Sequence, residues 1–267
     1  MIRKLSNKPV VRVYDGRSFL SVFQKGDMKD SGHEFDYDGG LRRHLSKMAV
    51  GMARKYRERD MLEAVHQCAD TALSLDAANS EALAISGDCL MKKGETDSAA
   101  GKYQKAIELD NSASALIGMG ALNIMRSDFT QAAHFFKKAV AIDGDNDRAV
   151  CGLGIALFNL GKKEEGFERF VNALLINPEN EVALTMLVKA GYALNKLDAV
   201  ESALKRFLAL HSANVEILFS LAGVRFRIGK MEKAREALEK VLLFDANHKN
   251  ARELYEKIEA TAGNPTA

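Results

Sequence analysis

Along residues 147–180 the apolar positions fall into two runs. Val150, Leu153, Ala156 and Leu157 recur at three- and four-residue steps, and Phe167, Phe170, Val171, Leu174 and Leu175 do the same further on. Each run makes one apolar stripe on a helix of 3.6 residues per turn. Gly161 lies between them, a residue that takes the left-handed backbone geometry ending a helix without a side-chain clash. Asn177-Pro178 closes the second run, because proline disfavours helix in the residue before it. The pattern predicts two helices joined by a tight turn, neither able to bury its stripe alone.

The same spacing recurs before and after this stretch, with a period of 34 residues. Six copies fit, at residues 46–79, 80–112, 113–146, 147–180, 181–214 and 215–248, the second one residue short. The position between the two runs reads Asp60, Gly94, Ser127, Gly161, Asn195 and Gly229, all suited to ending a helix or making a turn. A period of this length is the mark of a repeat architecture, in which stacked units bury a continuous core.

These spacings resemble the tetratricopeptide repeat family. Its pattern places a small residue at position 8 of each repeat, alanine at 20, an aromatic at 24 and alanine at 27. Position 8 reads Ala53, Gly87, Gly120, Gly154, Val188 and Ala222; position 24 reads Ala69, Tyr103, Phe136, Phe170, Leu204 and Leu238; position 27 reads Ala72, Ala106, Ala139, Ala173, Phe207 and Val241. Departures gather in the fifth copy, where Val188, Val200 and Phe207 are bulkier than the pattern asks, so a different helix spacing is expected there. The resemblance covers residues 46–248. It implies an all-α, right-handed superhelix, an α-solenoid of about six helix pairs, but it does not imply one function, because a fold hosts many.

Outside the copies, residues 1–40 form a separate non-repeat segment. Val10, Val11 and Val13, then Phe19, Leu20, Val22 and Phe23, flank an Asp15-Gly16 step, which signals a β-hairpin, and residues 25–40 read as a polar, glycine-rich linker. The helical array then opens at residue 41, its first helix rich in basic residues such as Arg42, Arg43, Arg54, Lys55 and Arg57. Residues 249–262 have the polar outer side of a capping helix, and 263–267 form a tail.

Composition changes this picture little. Of 267 residues, 47% are hydrophobic and 28% charged, and 38 basic against 36 acidic side chains give a formal charge of +2, which offers no general attraction for nucleic acid. Cys68, Cys89 and Cys151 form no C-x-x-C, so neither a disulfide framework nor a zinc site is indicated. With no apolar run long enough to span a bilayer and no signal-peptide pattern at the start, a cytoplasmic location is expected. No catalytic motif survives inspection: the histidines never pair as H-x-x-x-H, and Gly118-x-Gly120 and Gly152-x-Gly154 lie inside helical runs with no preceding strand. No enzyme activity, metal or cofactor is expected.

Binding remains. In the family, the first helix of each repeat lines a concave surface, chiefly through positions 2, 5, 6, 9, 12 and 13. The resemblance therefore implies a groove lined by Ile85, then Ile117, Ala121, Ile124 and Met125, then Arg148, Cys151, Ile155, Phe158 and Asn159, then Met186, Lys189 and Tyr192, and finally Phe219, Phe226 and Arg227. The family's carboxylate clamp for chaperone tails is absent, since the positions that would carry it read Val50, Arg54, Ile85, Ser114 and Gly118. A largely apolar floor with interspersed basic residues suits an apolar or amphipathic segment of a protein partner. The expectation is a non-catalytic adaptor. Its alternatives are a self-assembling scaffold, a homo-oligomer through the array or the N-terminal segment, and a regulatory subunit of an enzyme on another chain.

Overall fold

The computed structural model describes residues 37–262, with side chains from 39 to 260. The described residues are helical throughout: α1 Tyr37–Glu58, α2 Leu62–Leu75, α3 Ser80–Lys92, α4 Thr96–Asp110, α5 Ala113–Met125, α6 Phe129–Ile142, α7 Asp147–Asn159, α8 Lys163–Ile176, α9 Glu181–Leu194, α10 Leu197–Leu210, α11 Val215–Arg227, α12 Met231–Phe244 and α13 Lys249–Ala262. The hairpin expected near residues 10–23 and the tail lie outside the described residues. Residues 37–40, expected to end the linker, are instead helical, because α1 begins at Tyr37 and includes Gly39 and Gly40, and the rest of that expected linker lies outside the described residues. Both glycines are exposed.

Helix boundaries follow from local chemistry. Asp60, Gly94, Ser127, Gly161, Asn195 and Gly229 all take positive φ, between 53° and 85°, and so reverse the chain inside each pair. Between pairs, the side chains of Asn79, Asn146, Asn180 and Asn214 accept hydrogen bonds from the backbone N–H three residues on, at 2.8–3.1 Å. Ser112 holds the same place before α5. Each such cap satisfies an orphan donor of the next helix and contributes about 1 kcal/mol.

Odd- and even-numbered helices alternate as first and second members of pairs, and each pair packs on the next to give an all-helical solenoid. Burial is carried by alanines, leucines and, in the second to fourth pairs, one large ring each at position 24 of the repeat. Tyr103, Phe136 and Phe170 are at most 2% exposed. A ring buried to that extent contributes roughly 2–3 kcal/mol by removal of apolar area from water. Glycines set how closely the helices approach these rings. A Cβ on Gly87 or Gly118 would fall 2.5 or 2.3 Å from the Tyr103 ring, and one on Gly120 or Gly152 would fall 2.7 or 2.2 Å from Phe136. Tyr103 and Phe136 therefore each lie in a slot between two glycines on consecutive first helices. Phe170 meets only Gly154 in this way, since Met186 occupies the facing position.

The fifth pair is built differently. Val188 and Leu204 replace the glycine and the ring, and among pairs three to six α9 and α10 approach each other least closely. Charge holds this region instead: the nearly buried Glu201 accepts from Arg225 Nε at 3.1 Å and from Lys230 Nζ at 2.6 Å. Arg225 also donates to the Lys233 carbonyl at 2.9 Å, so α10, α11 and the start of α12 are tied through one carboxylate.

Candidate interaction surface

Consecutive first helices touch along α3, α5, α7 and α9, whereas the second helices stay apart except for α8 and α10. The inward side of the stack from the second to the fifth pair is therefore the first-helix side. Positions on these helices that point away from the second helices form one continuous face.

The sixteen residues assigned to this face by sequence divide into three groups. Ile85, Ile117 and Cys151 are core residues, 5%, 5% and 3% exposed, and correct the expectation that they line a groove. The reason is packing: Ile85 joins the cluster of Val50, Val65 and Cys68, Ile117 sits among Ala132, Ala133 and Phe136, and Cys151 lies with Phe170 and Leu174. Burial pushes the Cys151 thiol up to about 12, which leaves it a protonated packing group. Ala121, Ile124, Ile155, Phe158, Met186, Phe219 and Phe226 are half-buried, and Met125, Arg148, Asn159, Lys189, Tyr192 and Arg227 are exposed.

Two of the half-buried residues are covered from the C-terminal side. The Phe219 ring lies 4.8 Å from that of His248, and Lys257 Nζ sits 5.3 Å above the Phe226 ring. Both phenylalanines pack in the cluster that seats α13. Phe158 rests on Phe170 at 6.3 Å between ring centroids and keeps part of its ring accessible. What faces outward in the middle of the stack is thus Met125, 62% exposed, and Tyr192, 44% exposed, with Phe158 and Met186 half-buried.

One polar arrangement was not read from the sequence. Tyr103 passes between Gly87 and Gly118 and donates from Oη to Asp88 Oδ1 on α3 at 2.7 Å. Arg57 approaches the same carboxylate at 3.8 Å, and Arg148, from α7, is near enough to act on both Asp88 and Tyr103. Burial raises the Asp88 carboxyl above its ordinary range, opposed by the tyrosine hydrogen bond and the nearby cations. Tyrosine at a position where the next two copies carry phenylalanine was the available signal.

Two cations of the basic first helix are paired with acids of α3, and the last residue of α3 is paired in turn. Arg54 pairs with Glu81, Arg57 with Asp88, and Lys92 with Asp60 at 3.5 Å. Beside these pairs an open cavity of about 690 Å³ is lined by Lys47, Arg54, Asp76, Asn79, Glu81 and Asp110 among others. Its polar groups bond one another: Asn79 donates to Ser46, and Ser80 to Asp110. Among the described residues no group of three or more His, Cys, Asp or Glu could hold a metal ion, and no helix is long and apolar enough to cross a membrane.

A family model described as tetratricopeptide repeat matches residues 55–114 and 185–251. Among curated proteins, the DnaJ homolog subfamily C member 7 homolog of Schizosaccharomyces pombe is 24% identical over 205 residues, covering 75% of this chain and 39% of that protein. The Protein CTR9 homolog of Arabidopsis thaliana is 28% identical over 157 residues, covering 54% of this chain and 14% of that protein. The chain thus spans well under half the length of these curated relatives. Among solved structures, pilF of Pseudomonas aeruginosa superposes with a TM-score of 0.64 at 16% identity, covering 81% of this chain and 99% of that one. YrrB, described as a TPR protein with an unusual peptide-binding site, superposes at 0.55 and 20% identity, covering 70% and 97%. At these identities the likeness is one of fold.

Proposed function

Because this chain belongs to the tetratricopeptide repeat family, a family of protein-interaction modules, we propose that it is a non-catalytic adaptor. Its first-helix face holds an apolar or amphipathic segment of a protein partner. One observation carries this reading: Met125 and Tyr192 stand exposed on α5 and α9, with the partly accessible Phe158 on α7 between them. Contiguous exposed apolar surface on a folded protein marks an interaction site. Met adapts its shape to a ligand while aromatic rings anchor it.

Affinity capture with sequencing of the retained peptides tests this directly. Wild-type protein is expected to enrich apolar or amphipathic segments, and Met125→Glu combined with Tyr192→Glu to lose them while keeping its helicity. Equal retention by the double variant overturns the reading.

A self-assembling scaffold is favoured by a different feature. The last turns of the second helices expose Leu109, Ile142, Leu175, Leu210 and Leu243, a row with one member in each of the second to sixth pairs. Light scattering over a concentration series separates the two readings, since a monodisperse monomer at high concentration removes the scaffold.

A further inference from the structure

The charge on the first-helix face differs from that of the chain as a whole, which is nearly neutral at +2. On α7, α9 and α11 the acids sit only in the first turn. Asp147 accepts from Asn177 and Asn180, and Glu216 faces His248 at 4.0 Å, which leaves Glu181 at the very start of α9. Among the cations, Arg225 is committed to Glu201. Arg148, Lys189 and Arg227 remain, all exposed and none in an ion pair among the described residues. Where α1 meets α3, Arg54, Arg57 and Lys92 are each paired, whereas Arg42, Arg43, Lys47 and Lys55 on α1 are exposed with no ion pair among the described residues.

Arg148, Lys189 and Arg227 border the apolar surface. Arg227 acts electrostatically on Tyr192, and Tyr192 Oη would lie 3.5 Å from a Cβ on Gly223 of α11, so Arg227 and Tyr192 share one patch. Arg148 reaches towards Asp88 from the other side. They occupy an early position on α7, a middle one on α9 and the last residue of α11, a diagonal across three consecutive first helices. With packed helix axes about 10 Å apart, α9 and α11 further apart than that, and a rise of about 1.5 Å per residue, this line is at least roughly 25 Å long, which a helix of about 17 residues or more covers.

We propose that the segment held on this face is an acidic amphipathic helix of a partner protein. Its apolar side meets Met125, Phe158 and Tyr192, and its carboxylates meet Arg148, Lys189 and Arg227. The inference rests on the reading of this face as a docking site and adds the charge and form of the occupant. Unpaired cations at the edge of an apolar patch select an acidic partner by complementarity, and they repel a basic one with the same apolar side.

The test uses three synthetic amphipathic helical peptides with one shared apolar face and a polar face of Glu, Gln or Lys, together with a single-stranded oligonucleotide. Binding to the full chain is read by fluorescence anisotropy. The Glu peptide is expected to bind about tenfold more tightly than the Gln peptide, with the advantage shrinking in high salt, and the Lys peptide to bind least. The triple variant Arg148→Glu, Lys189→Glu, Arg227→Glu, its fold checked by circular dichroism, is expected to reverse the order. If all three peptides bind wild type and variant alike, the acidic preference is wrong while the apolar docking site stands. If none binds, the docking site itself is wrong. Oligonucleotide binding as tight as that of the Glu peptide overturns the assignment of a protein helix.

Discussion

The fourth and fifth pairs have the same length and the same arrangement of two helices, yet they are held by different physics. In the fourth, Gly154 and Gly166 allow backbone and ring to meet: a Cβ on Gly154 would lie 2.7 Å from Phe170, and one on Gly166 would lie 2.9 Å from the Gly154 carbonyl oxygen. In the fifth, Val188 fills the space and the approach is wider. The missing close contact is accompanied by Glu201 and its two cations. Small residues thus exchange side-chain volume for helix proximity, and in the fifth pair, where position 8 is no longer small, a specific polar tie fastens the second helix to the pair that follows.

The sharpest way to break the tight side is to refill a slot. Gly152→Val is expected to destabilise the chain by about 3 kcal/mol, because the added atoms meet the fully enclosed Phe136 ring. Urea denaturation measures this, and Phe136→Leu in the same chain should recover part of it.

Breaking the brace on the open side comes next. Glu201→Gln is expected to cost about 2 kcal/mol, below the full value for a broken buried pair because the Lys230 side chain is 40% exposed and rehydrates. The pH dependence follows from the sign of the shift. Hydrogen bonds from Lys230 first, then Arg225, hold the Glu201 carboxyl below its usual range. Its stabilisation is fully present above the unfolded glutamate value of about 4.3 and is lost as pH falls through the lower folded value. Wild-type stability should therefore converge on that of Glu201→Gln below about pH 4, as thermal melts across pH would show.

Two smaller changes sharpen the contrast. Tyr103→Phe keeps a ring that the equivalent Phe136 shows to fit, but it removes the bond to Asp88, for a loss of about 1–1.5 kcal/mol. Gly191→Ala brings a Cβ to 2.2 Å from Val200 Cγ2. Alanine's helix preference offsets part of the clash, so a net loss of about 1 kcal/mol is expected, and Val200→Ala should turn it into a gain. A cycle of these two substitutions measures how much of the fifth pair's spacing belongs to that one contact.

Which features were legible in the sequence follows from how local their causes are. Gly94, Gly161 and Gly229, and the residues standing in for them at Asp60, Ser127 and Asn195, announce turns because positive φ is a demand on one residue. Asn146 and Asn180 announce helix starts because a cap needs only its own next turn. The face was harder. Whether Ile85, Ile117 or Cys151 looks out or in depends on a rotation of a few tens of degrees fixed by neighbouring pairs, and all three turn in. Phe219 and Phe226 belong to the right helix, but His248 and Lys257 lie against their rings. The Tyr103 to Asp88 bond threads between two glycines from different repeats, and its one trace in the sequence is a tyrosine where the next two copies carry phenylalanine.

The glycine slots also give the array a direction of failure. A stack of units that touch only their neighbours comes apart at its weakest joint. First-helix contact is closest between α3 and α5, diminishes through α7 and α9, and falls away between α9 and α11. Unravelling should therefore start near the junction of the fifth and sixth pairs and move back towards the glycine-lined middle. Native-state hydrogen exchange would record this as amides of α9 to α12 opening together before those of α3 to α7. A ligand bridging Arg148 and Arg227 spans that joint, so binding would act there as a splint.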